Sequence, residues 1–332
     1  MRILIRPRLP LLALLLLAPS IPELLTGSTP ITRLAVDPLG FAVSFAFDVG
    51  LYGTGALVIR EVAVILRRGW PSILLWGAAY GIAEEGLAVH TFFQPSGSPV
   101  DALAVYGSAY GVNWLWALGL TVFHATYSIA LPILLTNLWF PQVRDARWVD
   151  RGGLAVLAGI YLAVVGVFAF LVGHGPSHGV LVLFLGMEAV LLVAGWRVPR
   201  TLVRLRPGPK SVGRWTLWLA GALEWIAWIA VLIVAGGRSV PAWGAALFVA
   251  AGTLGAAVVV FRGVGTEDLE RSEYAFAVGM LVPLFAWDVL LEFIGFPGIL
   301  AVSALFAYLL FRLGRTLDRR ASPPSQVLAP RA

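Results

Sequence analysis

The sequence predicts an all-α polytopic membrane protein, a bundle of about ten transmembrane helices with both termini in the cytoplasm. Of its 332 residues, 59% are hydrophobic and only 13% are charged, and the mean hydropathy is +0.86. Soluble domains usually carry about a quarter charged residues, so the composition excludes a soluble protein. Apolar runs long enough to cross the hydrocarbon core, about 20 residues, recur along the chain, and basic residues stand at their ends. That placement excludes a nucleic-acid-binding protein, which needs Lys and Arg clustered on a soluble surface.

The apolar runs define the predicted spans in order. They cover residues 9–26, 39–59, 72–93, 112–138, 153–172, 179–196, 215–235, 241–261, 274–291 and 296–312. Each boundary is set to within about 2–4 residues.

The distribution of basic residues orients these spans. With the N-terminus inside, only Arg33 and Arg238 of the 24 Lys and Arg residues fall on the outer side. Cytoplasmic loops carry the excess of Lys and Arg in membrane proteins. One span too many or too few would move every later loop to the opposite side of the membrane and destroy this segregation. The segregation therefore supports the whole count and predicts a multi-pass protein of the cell membrane.

Four segments follow from this topology. Residues 1–196 form an N-terminal six-helix half, 197–214 a basic cytoplasmic loop, 215–312 a C-terminal four-helix half, and 313–332 a disordered cytoplasmic tail. The outer loop 94–110 has no Lys or Arg, and its length permits a re-entrant or lid segment.

The first span permits two interpretations. Its basic start, its apolar stretch and the prolines Pro19 and Pro22 also fit a signal peptide. No small-x-small cleavage site follows cleanly, which favours a retained anchor.

The candidate site is a buried cluster of Glu84, Glu85 and His124. An ionisable side chain at the bilayer centre costs at least ~2.5–3.5 kcal/mol, so each one needs a partner or a purpose. The Glu pair lies about 13 residues into the third span, and His124 lies about 12 residues into the antiparallel fourth span. Sequential helices tend to be neighbours, so the three side chains are expected to meet at similar depth.

Two adjacent carboxyl groups in a low dielectric do not easily both carry a charge, so one can serve as an acid beside a base. This arrangement suits general acid–base catalysis or a proton relay. A structural polar network that holds two helices together is the alternative. We name Glu84, Glu85 and His124 as candidate catalytic residues, and Asp48, Asn113 and Ser128 as candidate substrate contacts.

No metal or cofactor is expected. The chain has no Cys, and four His residues supply all of its imidazoles. His174 and His178 have a ligand-like spacing that requires a helix, but Gly175 and Pro176 lie between them. The predicted partners are the lipid bilayer and a membrane-associated peptide or small molecule, without nucleic acid.

We predict structural roles for the remaining charged residues in the apolar runs. Arg60 and Glu61 end the second span and predict a snorkelling anchor with a local salt bridge at the cytoplasmic interface. Glu188, Glu224 and Asp288 are isolated in the sequence, and each can be a hydrogen-bond partner between helices.

The stretch from Gly81 to Gly86, followed by His124, resembles the CAAX-prenyl-protease and bacteriocin-processing family of intramembrane proteases. The resemblance implies that Glu84 activates a water, that Glu85 supports it, and that His124 orients the water or stabilises the oxyanion. It covers residues 73–137. The chain has Val89 where the family's first motif has Arg, has Leu120 where its second has Phe, and lacks its later His-x3-Asn motif.

A second resemblance covers more of the chain. The segments 52–55, 59–61, 69–71 and 80–86 with Phe123-His124-Ala125 are similar to uncharacterised multi-pass proteins of bacteria and archaea, which implies no activity. Three functions therefore stay open: a glutamate-dependent intramembrane peptidase, a proton-coupled transporter or permease that uses the same carboxyl groups as a relay, and a scaffold.

Overall fold

A computed structural model describes residues 8–93, 105–172, 176–202, 212–237 and 240–321. Within these ranges the chain forms thirteen α-helices. They are α1 Arg8–Pro19, α2 Arg33–Val36, α3 Pro38–Asp48, α4 Thr54–Ile65, α5 Trp70–Gly81, α6 Trp114–Phe123, α7 Leu131–Trp139, α8 Arg151–Val172, α9 His178–Arg197, α10 Arg214–Gly237, α11 Ala242–Gly263, α12 Leu269–Ile294 and α13 Ile299–Ala321. Short 3₁₀ turns occupy Pro141–Val143 and Arg200–Leu202.

Four π-helical turns continue or join these helices. They are π1 Ser20–Leu24 after α1, π2 Val49–Gly53 between α3 and α4, π3 Ile82–Ala88 after α5, and π4 His124–Ala130 between α6 and α7. Residues that weaken a regular helix lie in or next to each of them: Pro22 in π1, Gly50 in π2, Gly86 in π3 and Pro132 just after π4. Proline lacks the N–H that a helix needs, and glycine has no side chain to pack, so a wider turn forms readily there. Such turns recur at functional sites.

The multi-pass prediction is confirmed at the level of helices. Seven helical stretches in the described residues are long and apolar enough to cross a membrane. They are Pro38–Ile65, Trp114–Trp139, Arg151–Val172, His178–Arg197, Ala242–Gly263, Leu269–Ile294 and Ile299–Ala321. The other three predicted spans, 9–26, 72–93 and 215–235, fall on α1 with π1, on α5 with π3, and on α10. The total of ten and the cytoplasmic termini stay predictions.

The core is shared by helices from both ends of the chain. One buried apolar cluster joins α1 and π1 to α7, α12 and α13, and another joins α1 to α4, α5 and π4. Leu14, Ala18, Ile21 and Leu25 of the first span have no exposed surface. By contrast, α8 and α9 are apolar and largely exposed, so they present lipid-facing surfaces.

The predicted salt bridge between Arg60 and Glu61 is confirmed, but the prediction that Arg60 snorkels to solvent is wrong. Both are buried, at 1% and 0% exposure, and form an ion pair with each other. Arg60 Nη2 donates to the carbonyls of Val143 and Arg144 at 3.0 and 2.8 Å, and its guanidinium lies 3.6 Å from the centre of the Trp148 ring. The Glu61 carboxylate accepts the backbone N–H of Trp148. The pair therefore fixes the loop between α7 and α8, because Arg60 Nη2 and the Glu61 carboxylate both bond to that loop's backbone.

The structure describes the outer loop from residue 105 onward. The outer loop contains a two-stranded hairpin, β1 Ser108–Ala109 with β2 Val112–Asn113, turned by Tyr110 and Gly111 at φ of 54° and 78°. Two positive φ values are what a two-residue hairpin turn needs. Residues 94–104 of the proposed lid lie outside the described residues. So do 203–211 of the basic loop, and His174.

The tail is corrected as well. Residues 313–321 are helical, because α13 continues to Ala321. Leu313 and Leu317 on this stretch are buried in the core, which explains why the helix extends beyond the apolar run. Residues 322–332 lie outside the described residues.

Candidate functional site

The site forms where α5 and π3 pack closely against π4. Two glycines permit this approach. A Cβ on Gly77 would lie 2.9 Å from Ala125 Cα, and a Cβ on Gly81 would lie 2.9 Å from His124 Cβ, so only glycine fits at either position without a shift. This packing places the start of π4 directly beside the Glu pair of π3.

The imidazole of His124 lies between two carboxyl groups. Its Nε2 is 2.9 Å from Glu85 Oε1, and its Nδ1 is 3.3 Å from Glu84 Oε2. Nδ1 also lies 2.9 Å from the hydroxyl of Ser128, one turn further along π4. All four side chains are buried. The structure therefore brings together Glu84, Glu85, His124 and Ser128 from two helices.

The two carboxyl groups differ in their hydrogen bonds. Glu85 also accepts the hydroxyl of Thr91, which follows π3, so both of its oxygens are engaged. Glu84 Oε2 has no hydrogen-bond partner among the described residues, and neither does the buried hydroxyl of Tyr80. Glu85 is thus held in place by two hydrogen bonds, whereas Glu84 Oε2 lies 3.3 Å from the imidazole Nδ1 without a hydrogen bond.

Aromatic rings enclose the imidazole. The ring centres of Tyr52 and Tyr80 each lie 6.0 Å from that of His124, and Phe123 contacts the imidazole edge-on at 5.6 Å. These rings exclude water and lower the dielectric around the carboxyl groups, which strengthens every electrostatic interaction in the cluster.

A third carboxyl group joins the site from the first membrane helix. Glu23, in π1, accepts the hydroxyl of Tyr52 at 2.7 Å through Oε1 and the hydroxyl of Thr29 at 2.9 Å through Oε2. The same Thr29 hydroxyl lies 3.5 Å from Asp48 Oδ2. Asp48 therefore reaches the cluster indirectly, through Thr29, Glu23 and Tyr52.

Sequence reasoning missed Glu23, Tyr52 and Tyr80. Glu23 directly follows Pro22, at the end of the first apolar run. The available signal was a single carboxylate at the end of an apolar helix, with no positive partner nearby in the sequence. Tyr52 and Tyr80 each precede a glycine in segments noted only for their resemblance to other membrane proteins.

Asn113 has a structural position. Its Oδ1 accepts the backbone N–H of Trp116 at 2.9 Å and so caps the N-terminus of α6. It lies eleven residues before His124, a separation of about 16 Å along a helix. The structure does not place Asn113 with the Glu–His cluster.

The other intramembrane carboxyl groups connect helices. Glu224 of α10 accepts the hydroxyl of Thr126 of π4 at 2.8 Å. Asp288 of α12 accepts the hydroxyl of Ser303 of α13 at 2.5 Å. Both fit the role of a hydrogen-bond partner between helices.

A metal ion is one occupant that the cluster's geometry permits. Glu84, Glu85 and His124 each offer a ligand atom, and these atoms lie within 4.8 Å of one another. Three protein ligands are the usual set of a catalytic zinc site. However, both imidazole nitrogens are already engaged with protein groups, so a metal would have to displace one of these contacts.

Comparison with known proteins gives one match. Residues 12–316 match a family described as an uncharacterised membrane protein family. No curated protein and no solved structure matches the chain. The resemblance to the CAAX-prenyl-protease and bacteriocin-processing family gains no support from the match. Since the match covers nearly the whole length, from the first membrane helix to the last, the chain belongs to this uncharacterised family of membrane proteins.

Proposed function

We propose that this protein is an intramembrane hydrolase that cleaves a membrane-associated peptide, with Glu84 as the base that activates water. One observation carries the proposal: two buried carboxyl groups contact the two nitrogens of a single imidazole, at 3.3 and 2.9 Å. This arrangement places a proton acceptor, a proton donor and a group that fixes the imidazole within one site.

The proposed reaction needs one water. Glu84 takes a proton from the water while the water oxygen forms a bond to the peptide carbonyl carbon. The C–N bond then breaks, and the proton passes from Glu84 to the leaving amine. In this proposal His124 carries a proton, and its imidazole, with the hydroxyl of Tyr80, stabilises negative charge on the carbonyl oxygen.

The remaining residues position these groups. Glu85 bonds Nε2 of His124 and Ser128 lies against Nδ1, so together they fix the orientation of the ring. Ser128, which the sequence predicts as a substrate contact, is better assigned as a positioning residue. Asp48 would act on the site only through Glu23.

The test is proteolysis by purified protein in liposomes. A pool of synthetic single-span peptides is incubated with the wild type, with Glu84→Gln and with Glu188→Gln, and the products are identified by mass spectrometry. Glu188 lies on the lipid-facing α9, so its substitution is the matched control. We expect cleavage by the wild type and the control, and a loss of about 10²–10⁴-fold for Glu84→Gln, the usual contribution of a general base. No cleavage by the wild type, or equal cleavage by Glu84→Gln, contradicts the proposal.

A second candidate is a proton-coupled transporter. The observation that favours it is the series of protonatable groups from Asp48 through Thr29, Glu23 and Tyr52 to His124, which is longer than a hydrolase needs. Such series mark proton relays in pumps and transporters. The test is the decay of a pH gradient across liposomes, followed with a trapped pH-sensitive dye. A transporter should lose this activity on substitution of either Asp48 or Glu84. A hydrolase should depend far more strongly on Glu84 than on Asp48.

A further inference from the structure

A second site lies on the other side of π4. A cavity of about 750 Å³ is enclosed by α5, by α6 with π4 and α7, and by α10, α11 and α12. Thr126 and Glu224 line it at the middle of their helical segments. Arg68, Arg144 and Arg200 line it on the predicted cytoplasmic side, which we call its mouth. Glu224 lies ten residues into α10, so the cavity reaches about 15 Å from the inner interface. Ligand pockets in proteins span about 300–1,000 Å³, so the volume suits a molecule.

The shaft of the cavity is apolar. Its walls carry aliphatic and aromatic side chains from all five surrounding helical segments, among them Ile73, Leu134, Val260, Phe276 and Met280. The shaft starts at the membrane–water interface and runs along the bilayer normal. Hydrocarbon chains suit it, because they cover the apolar wall and keep water away from it.

The mouth carries charges of both signs. Arg68, Arg144 and Arg200 line it, and Glu273 lies 3.8 Å from Arg144. Arginine binds phosphate with several parallel hydrogen bonds, so the three arginines fit a phosphate group at the level of lipid headgroups. The second oxygen of the Glu273 carboxyl group, which has no hydrogen-bond partner among the described residues, is available to a donor next to that phosphate.

Three polar oxygens in the wall lack partners. Asn137 Oδ1, Ser272 Oγ and Glu273 Oε2 are buried and have no hydrogen-bond partner within the described residues. Each can accept a hydrogen bond, and a buried acceptor that stays unpaired destabilises the protein. A primary ammonium group has three N–H donors and no acceptor. Its three donors match the three unpaired oxygens in number, and its positive charge matches the Glu273 carboxylate.

We propose that the cavity binds a phospholipid of the inner leaflet whose headgroup ends in a primary ammonium, as in phosphatidylethanolamine. The phosphate pairs with Arg68, Arg144 and Arg200, and the ammonium donates to Asn137, Ser272 and Glu273. The acyl chains occupy the apolar shaft. This site is separate from the Glu84 cluster and does not depend on the proposed hydrolase activity.

The first experiment needs no substitution. Purified full-length protein is titrated with phosphatidylethanolamine, its N-methyl and N,N-dimethyl derivatives, and phosphatidylcholine, all with the same acyl chains, and bound lipid is measured by native mass spectrometry. Each methyl group removes one donor, so we expect retention to fall stepwise, to about tenfold less for phosphatidylcholine. Equal retention of all four lipids means that the cavity takes bulk lipid without selection and overturns the proposal.

Substitutions then assign the headgroup contacts. Arg144→Gln removes a phosphate partner and Glu273→Gln an ammonium partner, and the matched controls are Arg147→Gln and Glu267→Gln, both exposed and outside the cavity. We expect Glu273→Gln to reduce the difference between phosphatidylethanolamine and phosphatidylcholine, and Arg144→Gln to weaken retention of both lipids. If the control variants change lipid retention as much as these two, the headgroup does not bind in the cavity. The methylation series on the wild type still decides the question if a variant fails to fold.

Discussion

The hydroxyl of Tyr52 donates to Oε1 of Glu23 at 2.7 Å and ties the first membrane helix to the second, beside the His124 imidazole. Both residues lie on π-helical turns, as do Glu84, Glu85, His124 and Ser128. The cluster is therefore assembled from four helical segments that all depart from regular α-helix at this level of the bundle. That coincidence supports a common purpose for the four turns.

Tyr52→Phe should lower hydrolysis about ten- to a hundredfold, because a hydrogen bond to a charged group is worth about 1.5–3 kcal/mol. The change should also alter the pH–rate profile, which a merely structural loss would leave unchanged. Tyr106→Phe is the matched control, since the Tyr106 hydroxyl donates to the carbonyl of Val240, outside the cluster. The kinetics of both variants are measured across pH. An unaltered profile for Tyr52→Phe means that Glu23 does not belong to the working site.

Gly81→Ala should separate π4 from the Glu pair. The added methyl group would lie 2.9 Å from His124 Cβ, so the helices must move apart, at a cost of about 1–3 kcal/mol. We expect a lower melting temperature and loss of hydrolysis. Gly159→Ala on α8 serves as the control, because nothing lies within 4 Å of its added carbon. If thermal unfolding of the two variants is the same, close packing at Gly81 does not hold the site together.

Arg60→Met should destabilise the fold strongly. Removing one partner of a buried ion pair costs about 3–5 kcal/mol, because the other charge stays buried and unpaired. The double substitution Arg60→Met with Glu61→Leu should recover part of this loss. Arg33→Met is the comparison, because its pair with Asp37 is exposed and worth about 0–1 kcal/mol. Equal shifts of the thermal midpoint for Arg60→Met and Arg33→Met would show that burial does not set the energy of the Arg60 pair.

The predicted orientation can be tested by cysteine labelling, because the natural chain contains no Cys. Tyr110→Cys, in the exposed hairpin turn, should react with an impermeant maleimide added outside intact cells. Arg147→Cys, in the exposed loop between α7 and α8, should react only after the cells are opened. The reverse pattern would invert the topology, and labelling of both positions in intact cells would refute the helix count.

Much of the fold follows from composition. Hydropathy and the segregation of Arg residues predict a multi-pass helical protein, and they place Glu84 and His124 at similar depth on neighbouring helices. Interruptions within helices were harder to predict from the sequence. The close approach of π4 to α5 depends on Gly77 and Gly81, and such contacts between distant residues leave no local period in the sequence.

The burial of charged groups was also hard to predict. Arg60 and Glu61 end an apolar run. An exposed anchor and a buried ion pair that holds a loop would have the same sequence at that position. The structure distinguishes them, because the backbone around Trp148 supplies the missing partners. Glu23 was missed for a related reason: its partners Tyr52 and Thr29 lie 29 and 6 residues away, and no short motif connects them.

Hydrolysis in ¹⁸O-labelled water tests the central claim most directly. The wild type, Glu84→Gln and Glu188→Gln are incubated in liposomes with the single-span peptide pool, and the new carboxyl termini are analysed by mass spectrometry. The account predicts one ¹⁸O atom in each new carboxyl group for the wild type and Glu188→Gln, with product formation at least about 10²-fold lower for Glu84→Gln. Unlabelled products, or labelled products formed equally fast by Glu84→Gln, would contradict a role for Glu84 in activating water.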